Sequence, residues 1–419
     1  MAKSTINNEM LAKFAAAYRS KSEMKDSDTV MEYLSGLGKK TIDIVAKTPE
    51  LLLFMADNGM IKLEDIDKYL VEISWIEYPE VIEKLLRYKR NPPEVQTRAA
   101  QEQREAKASD PKNDWMTEKM PDGSLKLVSY KGTETEITIP LQIGKLRVST
   151  IGADALSPEK FRLRSEMKLV RQMISKIDIP EGITGIEAGA FRGCTGLKKV
   201  VFPKGMKRIP EQLFKGSGII DPVFPEDLEE IGDEAFADCQ KLKKITLPSQ
   251  IKVLGQNLFR GSTLVEFNWP KNEETAIIPD YLFMWSSKLE KVTLPDTTVK
   301  IGSNAFRGCG KLKELEIPDA VTTVEDGAFA DCVHLKTLRI PIGVQIIKNS
   351  TFRNCGSLEK LYLPASITTI ESGEQKRMSR HWMMDSRTFG DCNKLKIYAP
   401  SGSYAATFAL QNHIPFEAT

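Results

Sequence analysis

The apolar positions in the second half of the chain repeat at a nearly constant interval. Nine phenylalanines carry the pattern, and seven of the eight gaps between them are 22 to 24 residues, the last being 37. They are Phe191, Phe214, Phe236, Phe259, Phe283, Phe306, Phe329, Phe352 and Phe389. A period of this size predicts a solenoid, in which each repeat buries its apolar face against its neighbours. Function is then limited to what a long repetitive surface can do.

Each repeat contains a short predicted strand that ends at a proline. In one repeat Leu312, Leu315 and Ile317 precede Pro318, and side chains along a strand alternate between core and solvent. Proline directly after a strand ends the pairing and turns the chain. The apolar residues between this proline and the next phenylalanine form the return side, which we predict to be short helical or extended turns.

Parallel strands from successive repeats are expected to form one concave sheet, at about 4.8 Å per strand and roughly 45 Å long. Two outward positions per strand would line it. The first column holds Val201, Val223, Thr246, Asn268, Thr293, Glu316, Arg339, Tyr362 and Tyr398. The second column holds Lys199, Asp221, Lys244, Glu266, Lys291, Glu314, Thr337, Lys360 and Lys396. Both signs of charge occur along these columns, which leaves no basic stripe for a nucleic-acid backbone.

Residues 1–92 have the apolar spacing and the end signals of short helices. Thr48 and Pro49 place a helix cap and a proline at the first helical position ahead of an apolar run. Another helix is predicted to begin near Pro79. The sequence therefore predicts a small all-α module, followed by a polar, proline-containing linker at 93–113.

The remaining chain is predicted to divide into a capping hairpin (114–156), the repeats (177–396) and a C-terminal cap (397–419). Two insertions break the period. The first, 157–176, is an amphipathic segment with six basic and two acidic side chains. Such a helix can bind an acidic partner or an anionic membrane, or its apolar face can cover the end of the solenoid. The second insertion, 371–386, contains methionines and a tryptophan that suit adaptable binding or a loop folded against the last repeats.

These motifs resemble the BspA-type leucine-rich repeat family over residues 125–419. The resemblance includes the opening hairpin with Tyr130–Thr133 and Ile137–Pro140, and the C-terminal cap with Ile397–Tyr404 and Ile414–Phe416. It implies an α/β repeat fold, a right-handed leucine-rich-repeat solenoid with a parallel concave β-sheet, here preceded by the all-α module. Members of the family are mostly bacterial or protozoal surface proteins that resemble adhesins or ligand binders and carry secretion signals.

Charge and hydropathy exclude several functional classes. The 59 basic and 57 acidic side chains nearly balance, so nothing attracts nucleic acid in general. No run of 18 apolar residues predicts a transmembrane helix, and Met1–Asn8 lacks the apolar stretch of a signal peptide. We therefore expect a cytoplasmic protein. The resemblance implies the alternative, a cell-surface or secreted location.

The six cysteines are expected to be free thiols. Each stands three residues after one of the repeated phenylalanines, and serine fills the same position in three other repeats. An even number of cysteines would suit three disulfides in an extracellular chain. However, a position that accepts either cysteine or serine indicates a small buried side chain. Free thiols also suit a reducing compartment.

The motifs of catalysis and of metal or cofactor binding are missing from the sequence. It has three histidines, no Cys-x-x-Cys and no His-Glu-x-x-His. Gly36–Thr41 resembles a phosphate loop only faintly, because its first glycine is missing and no strand precedes it. We predict no enzyme, no metal and no cofactor. A hydrolase or nucleotide enzyme in the helical module is kept as a minor alternative.

The sequence therefore predicts a non-enzymatic scaffold that binds a protein or peptide on the concave face or the C-terminal loops. The residue types at that end are those enriched in protein-binding hot spots, although solvated sheet residues on a scaffold have the same appearance. The candidate residues are Arg339, Tyr362, Tyr398, Glu316, Thr293, Trp382, Met383, Arg164 and Arg171. A monomer is favoured. The alternative function is a bacterial adhesin-like structural protein secreted by an unrecognised route.

Overall fold

The structure is a computed structural model, and it divides into two compact units that are described separately. The residues it describes are Leu11, Val30, Leu34, Thr48, 50–57, Ile61, Ile66, 69–70, 79–90, 111–270, 277–377, 383–385 and 387–419.

Before residue 114, the described secondary structure of the first unit is helical, except for a turn at Glu50. The helices whose bounds are described are α1 (Leu51–Asp57), α2 (Pro79–Arg90), α3 (Pro111–Asp114) and α4 (Ser165–Met173). Helices α1 and α2 pack through fully buried leucines, isoleucine and valine. Helix α4 comes from the first insertion, and its Glu166 forms an ion pair with Lys89 of α2.

The second unit opens with a small sheet. Strands β1 (Trp115–Lys119) and β2 (Leu125–Tyr130) form an antiparallel hairpin, as the turn residues Pro121–Gly123 predict. Strands β4 (Gln142–Ile143) and β5 (Leu146–Ile151) form a second antiparallel pair, and β5 also pairs in parallel with β2.

The repeats build a parallel-strand solenoid of about 12 turns. One side, called here the first ladder, carries the predicted outward columns, and its three-residue strands expose the two outer residues and bury the central one. Its strands are β3 (Glu136–Thr138), β6 (Lys176–Asp178), β8 (Lys199–Val201), β12 (Glu266–Asn268), β14 (Lys291–Thr293), β17 (Thr337–Arg339), β19 (Lys360–Tyr362), β23 (Lys396–Ala399) and β24 (Phe416–Ala418). The prediction of a parallel sheet from strands one repeat apart is confirmed.

The return side is extended and forms a second ladder of short parallel strands. Its strands are β7 (Gly185–Ile186), β9 (Arg208–Ile209), β10 (Glu230–Ile231), β11 (Val253–Leu254), β13 (Ile277–Ile278), β15 (Lys300–Ile301), β16 (Thr323–Val324), β18 (Ile346–Ile347) and β20 (Thr369–Ile370). Of the two predicted alternatives for this side, extended segments are therefore the ones observed. Extended segments therefore occur on two sides of the solenoid.

Prolines interrupt the second ladder at two places. The residue after each strand normally donates its backbone N–H to the preceding turn, as Gly232 does to the carbonyl of Ile209 at 2.9 Å. Pro210 and Pro279 occupy that position and have no N–H to donate. Accordingly, β7 is not paired with β9, and β11 is not paired with β13. A third break, between β16 and β18, has no proline. The first ladder also has gaps at 221–223, where Pro222 is the central residue, at 244–246 and at 314–316.

The phenylalanines stack into a continuous spine inside the solenoid. Successive ring centroids lie 5.2 to 6.0 Å apart from Phe191 to Phe389, a favourable range for aromatic pairs. All of them except Phe389 are fully buried. The phenylalanine spine therefore also connects turns whose strands are not hydrogen-bonded to each other in a ladder.

Each turn around a phenylalanine contains left-handed backbone positions. One position lies two residues before the phenylalanine and the other lies two residues after it. In the Phe306 repeat these are Asn304 and Gly308, with φ of 52° and 74°. A side chain at such a position lies over the equivalent glycine of the next turn. Asp238 covers Gly261, and Trp285 covers Gly308.

The last turn is closed by a helix and a strand. Helix α5 (Tyr404–Gln411) begins after Ser403, whose hydroxyl accepts a hydrogen bond from the N–H of Ala406 at 3.2 Å. Strand β24 then pairs with β23. In the second insertion, β21 (Gln375–Arg377) and β22 (Met383–Asp385) form an antiparallel pair.

Candidate functional site

Three candidate residues meet at the C-terminal end of the first ladder. Arg339 lies in register with Tyr362, and Tyr362 lies in register with Tyr398. The tyrosine rings stack with centroids 4.8 Å apart and an interplanar angle of 29°. We call Arg339, Tyr362 and Tyr398 the aromatic row.

Charged groups lie next to the residues of the aromatic row. The ammonium of Lys396 lies 5.4 Å from the ring centroid of Tyr398 and 2.5 Å from Oε2 of Glu417. That carboxylate raises the pKa of Lys396. Arg339 pairs with Asp319 at 2.8 Å, but both side chains remain mostly exposed, so this pair adds little to stability. The guanidinium can therefore exchange Asp319 for a partner's carboxylate.

Glu316 and Thr293 continue the same column away from the aromatic row and are both exposed. The Thr293 hydroxyl donates to Oδ1 of Asn268 at 3.3 Å. The pairing between Glu314 and Thr337 is an isolated bridge. Strand pairing therefore aligns two stretches of the column, Asn268 with Thr293, and Arg339 with Tyr362 and Tyr398.

The candidates in the insertions are placed differently. Arg164 is exposed. Arg171 is fully buried within the first unit, so its expected place on an exposed basic face is wrong. It stands four residues after Met167 and three before Ile174, and these spacings put it on the apolar face of the helix. Trp382 lies outside the described residues, and of Met383 the structure gives the backbone of strand β22.

The cysteine column has a definite structural role. Each thiol donates a hydrogen bond to the carbonyl that belongs to the phenylalanine position of the preceding turn, at 2.9 to 3.3 Å. The donor and acceptor pairs are Cys194 with Leu156, Cys239 with Phe214, Cys309 with Phe283, Cys332 with Phe306, Cys355 with Phe329 and Cys392 with Phe352. The hydroxyl of Ser286 donates to Phe259 in the same way at 2.7 Å. Cysteine and serine exchange because both are small donors.

All six thiols are free, as predicted. Burial raises the pKa of Cys392 to about 11 and that of Cys239 to about 12. Burial likewise raises the pKa of Cys332 and Cys355 well above the ordinary value of 9.0. Thiols that stay protonated are poor nucleophiles, so these residues support the core rather than chemistry.

Acidic side chains on the solenoid lie between cations of adjacent turns. Glu325 contacts Lys300 at 2.9 Å and forms a second ion pair with Lys348. The hydrogen bond from Lys348 lowers the pKa of Glu325 most, partial burial opposes this, and Lys300 lowers it further. Asp331 is held in the same way between Arg307 and Arg353. These ion pairs link consecutive turns of the solenoid.

The described residues show no arrangement for metal chemistry or for spanning a bilayer. They contain no group of three or more His, Cys, Asp or Glu side chains that could hold an ion. No helix among them is both long and apolar enough to cross a membrane. His334 Nδ1 lies 2.5 Å from the carbonyl of Gly310.

A cleft beside the C-terminal cap was missed by sequence reasoning. It is lined by Arg387, Lys394, Lys396 and His413 together with half-buried phenylalanines. Its walls come from the start of the second insertion, the last repeat and the cap, which are separated along the chain. No local motif could have shown this grouping.

The fold, with its repeated strands, phenylalanine spine and cysteine column, is that of a leucine-rich repeat protein. The chain belongs to the BspA-type leucine-rich repeat family, because the model of the "BspA type Leucine rich repeat region (6 copies)" matches residues 170–276 and 276–379.

The solved structures to which the chain is similar are distant from it in sequence. A leucine rich cell surface protein from Faecalibacterium prausnitzii is 21% identical, with 73% of this chain and 97% of that chain covered and a TM-score of 0.37. A leucine-rich repeat protein from Bacteroides ovatus is 20% identical, with 73% and 98% covered and a TM-score of 0.35. The pneumococcal vaccine antigen PcpA is 19% identical, with 73% and 96% covered and a TM-score of 0.37. Among curated proteins, none matches this chain.

Proposed function

We propose that this protein is a non-enzymatic scaffold that binds a protein or peptide at the aromatic row. The observation that carries the proposal is the alignment of Arg339, Tyr362 and Tyr398 on adjacent strands, with the two rings stacked at 4.8 Å. Arginine and tyrosine are enriched among residues that dominate binding energy. Stacked rings on a sheet also lose little conformational freedom when a partner binds.

The non-enzymatic part of the proposal rests on the chemistry of the described residues. The thiols are buried with raised pKa values, and the lowered pKa values of Glu229 and Glu325 come chiefly from lysines of adjacent turns. Groups held in this way stabilise the fold. We also propose that the chain acts in a reducing compartment, because its free cysteines suit such surroundings.

The test uses the intact chain as bait in a lysate of the source cell, with Tyr362→Ala/Tyr398→Ala as the altered bait. A matched control is Val253→Ala/Ile346→Ala, which removes two exposed side chains from the second ladder. Any protein lost with the tyrosine variant alone is then purified and titrated against all three chains. We expect a loss of about 2 kcal/mol or more in binding free energy at a hot spot.

A partner that binds the tyrosine variant as tightly as the unaltered chain would contradict the assignment of the aromatic row. Thermal unfolding of each bait shows whether lost binding reflects lost folding. A partner retained by all three baits would place binding elsewhere on the molecule.

A further inference from the structure

The cleft at the C-terminal end of the repeats has a volume of about 780 Å³. This lies within the usual range for ligand pockets, roughly 300–1,000 Å³. None of the described residues that line it is acidic. Its basic side chains are Arg387, Lys394, Lys396 and His413. The cleft is therefore distinctly cationic in a chain whose total charge is only +2.

The floor of the cleft is the C-terminal end of the phenylalanine spine. Phe389 and Phe408 contact each other with ring centroids 6.1 Å apart, and both are half-buried, whereas the eight earlier rings of the spine are fully buried. Cys392 is likewise the least buried of the thiols. The stack ends here with an aromatic surface that a further ring can extend.

Nearby acids neutralise only part of the positive charge. Lys396 pairs with Glu417 at 2.5 Å, and Arg387 lies 3.9 Å from Asp391. Lys394 is exposed and forms no ion pair within the described part of the chain. A ligand carboxylate at the cleft can therefore gain a charge-assisted contact with Lys394 without displacing an existing one.

We propose that this cleft binds an acidic peptide that carries an aromatic side chain. The peptide's carboxylates would contact Lys394 and Arg387, and its ring would stack on Phe389 and Phe408. Charge complementarity selects for the carboxylates of this peptide, and the aromatic floor selects for its aromatic side chain. The site is separate from the aromatic row, because Arg339, Tyr362 and Tyr398 do not line it. A free inorganic anion would leave the aromatic floor unused.

The test measures fluorescence anisotropy of a short fluorescein-labelled peptide of glutamates and phenylalanines with the intact chain. Two further peptides separate the contributions: one has glutamine in place of glutamate, and the other has serine in place of phenylalanine. The altered chain is Lys394→Glu, and the matched control is Lys313→Glu, an exposed lysine on another turn. We expect Lys394→Glu to weaken binding roughly tenfold and Lys313→Glu to leave it unchanged.

Each alternative to the proposed peptide site predicts a different outcome of this binding experiment. Equal weakening by both lysine variants, equal binding of the glutamine peptide, or no saturable binding at millimolar peptide would overturn the proposal. Full competition by inorganic phosphate, with no loss for the serine peptide, would indicate a free-anion site instead. Self-association that Lys394→Glu abolishes, seen in sedimentation, would assign the cleft to a second copy. The Tyr362→Ala chain, which leaves the contact between Lys396 and Tyr398 intact, is expected to bind the peptide normally, and this separates the result from the fate of the aromatic row.

Discussion

The indole ring of Trp285 lies directly over Gly308 in the next turn. A Cβ placed on Gly308 would come within 2.2 Å of the Cε3 atom of Trp285. Arg307 covers the same ring, with its guanidinium carbon 5.3 Å from the centroid. Gly308 is therefore required for space as well as for its φ of +74°.

Gly308→Ala should destabilise the chain more than Gly205→Ala. Gly205 has nearly the same φ, +73°, but nothing lies within 4 Å of its Cβ position. Both variants incur about 1–2 kcal/mol for alanine in left-handed backbone. Overpacking against Trp285 should add about 1–3 kcal/mol to Gly308→Ala alone. Urea unfolding measures both, and combining Gly308→Ala with Trp285→Ala should recover the added part. Equal midpoints for the two glycine variants would contradict this account.

Phe306→Ala should cost about 3–5 kcal/mol by opening a cavity in the core. The ring is fully buried and contacts Phe283 and Phe329, with centroids 5.5 and 5.7 Å away. Glu316→Ala, on an exposed position ten residues along the chain, should change little. The measurement is urea unfolding followed by circular dichroism. Similar losses in the two variants would show that the inward and outward assignments are mistaken.

Stability should fall at alkaline pH as the buried thiols ionise. Burial raises the pKa of Cys239 to about 12 from an ordinary value of 9.0. Because the folded pKa is the higher one, this contribution is complete below pH 9.0 and is lost as the pH rises toward 12. Cys239→Ser keeps a small donor without a titrating thiol. Its urea midpoint should therefore fall less steeply above pH 9.0 than that of the unaltered chain, and parallel curves would contradict the prediction.

Protonation of Glu325 should make part of the free energy of unfolding depend on pH in the acid range. Its pKa is lowered from 4.5, chiefly by the hydrogen bond from Lys348. A lowered folded pKa means that the contribution is present above pH 4.5 and is lost as the pH falls through the folded value. Glu325→Gln should lower the midpoint at neutral pH and flatten the acid limb. Glu316→Gln, on an exposed position, is the control and should leave the shape of the curve unchanged.

The sequence was sufficient to predict the interior of the solenoid because one period controls it. Phe306 and Cys309 recur with the same spacing in neighbouring repeats, and each position repeats its environment. The outward columns follow from the alternation of side chains between core and solvent along each strand, and this alternation predicts that Tyr362 and Tyr398 lie on one line. Arg171 was misplaced because its charge was weighed above its helical position.

Other features depend on contacts between turns that no single repeat displays. The fit of Trp285 over Gly308 joins residues 23 positions apart with unrelated side chains. The cationic cleft likewise needs Arg387 and His413 from separate segments. The role of the cysteine column also became clear only when Cys332 was seen to donate to the carbonyl of Phe306. Periodicity predicts which residues are inside, but it does not describe how one turn is fitted to the next.

Pro210 and Pro279 give the solenoid uneven stiffness. Across them the second ladder is open, although the phenylalanine spine and the backbone bonds beside it continue, as from the N–H of Phe191 to the carbonyl of Leu213. At Pro210 the first ladder is open as well, between 199–201 and 221–223. Stretched along its axis, the solenoid is therefore expected to open at Pro210 first, because neither ladder joins the turns there.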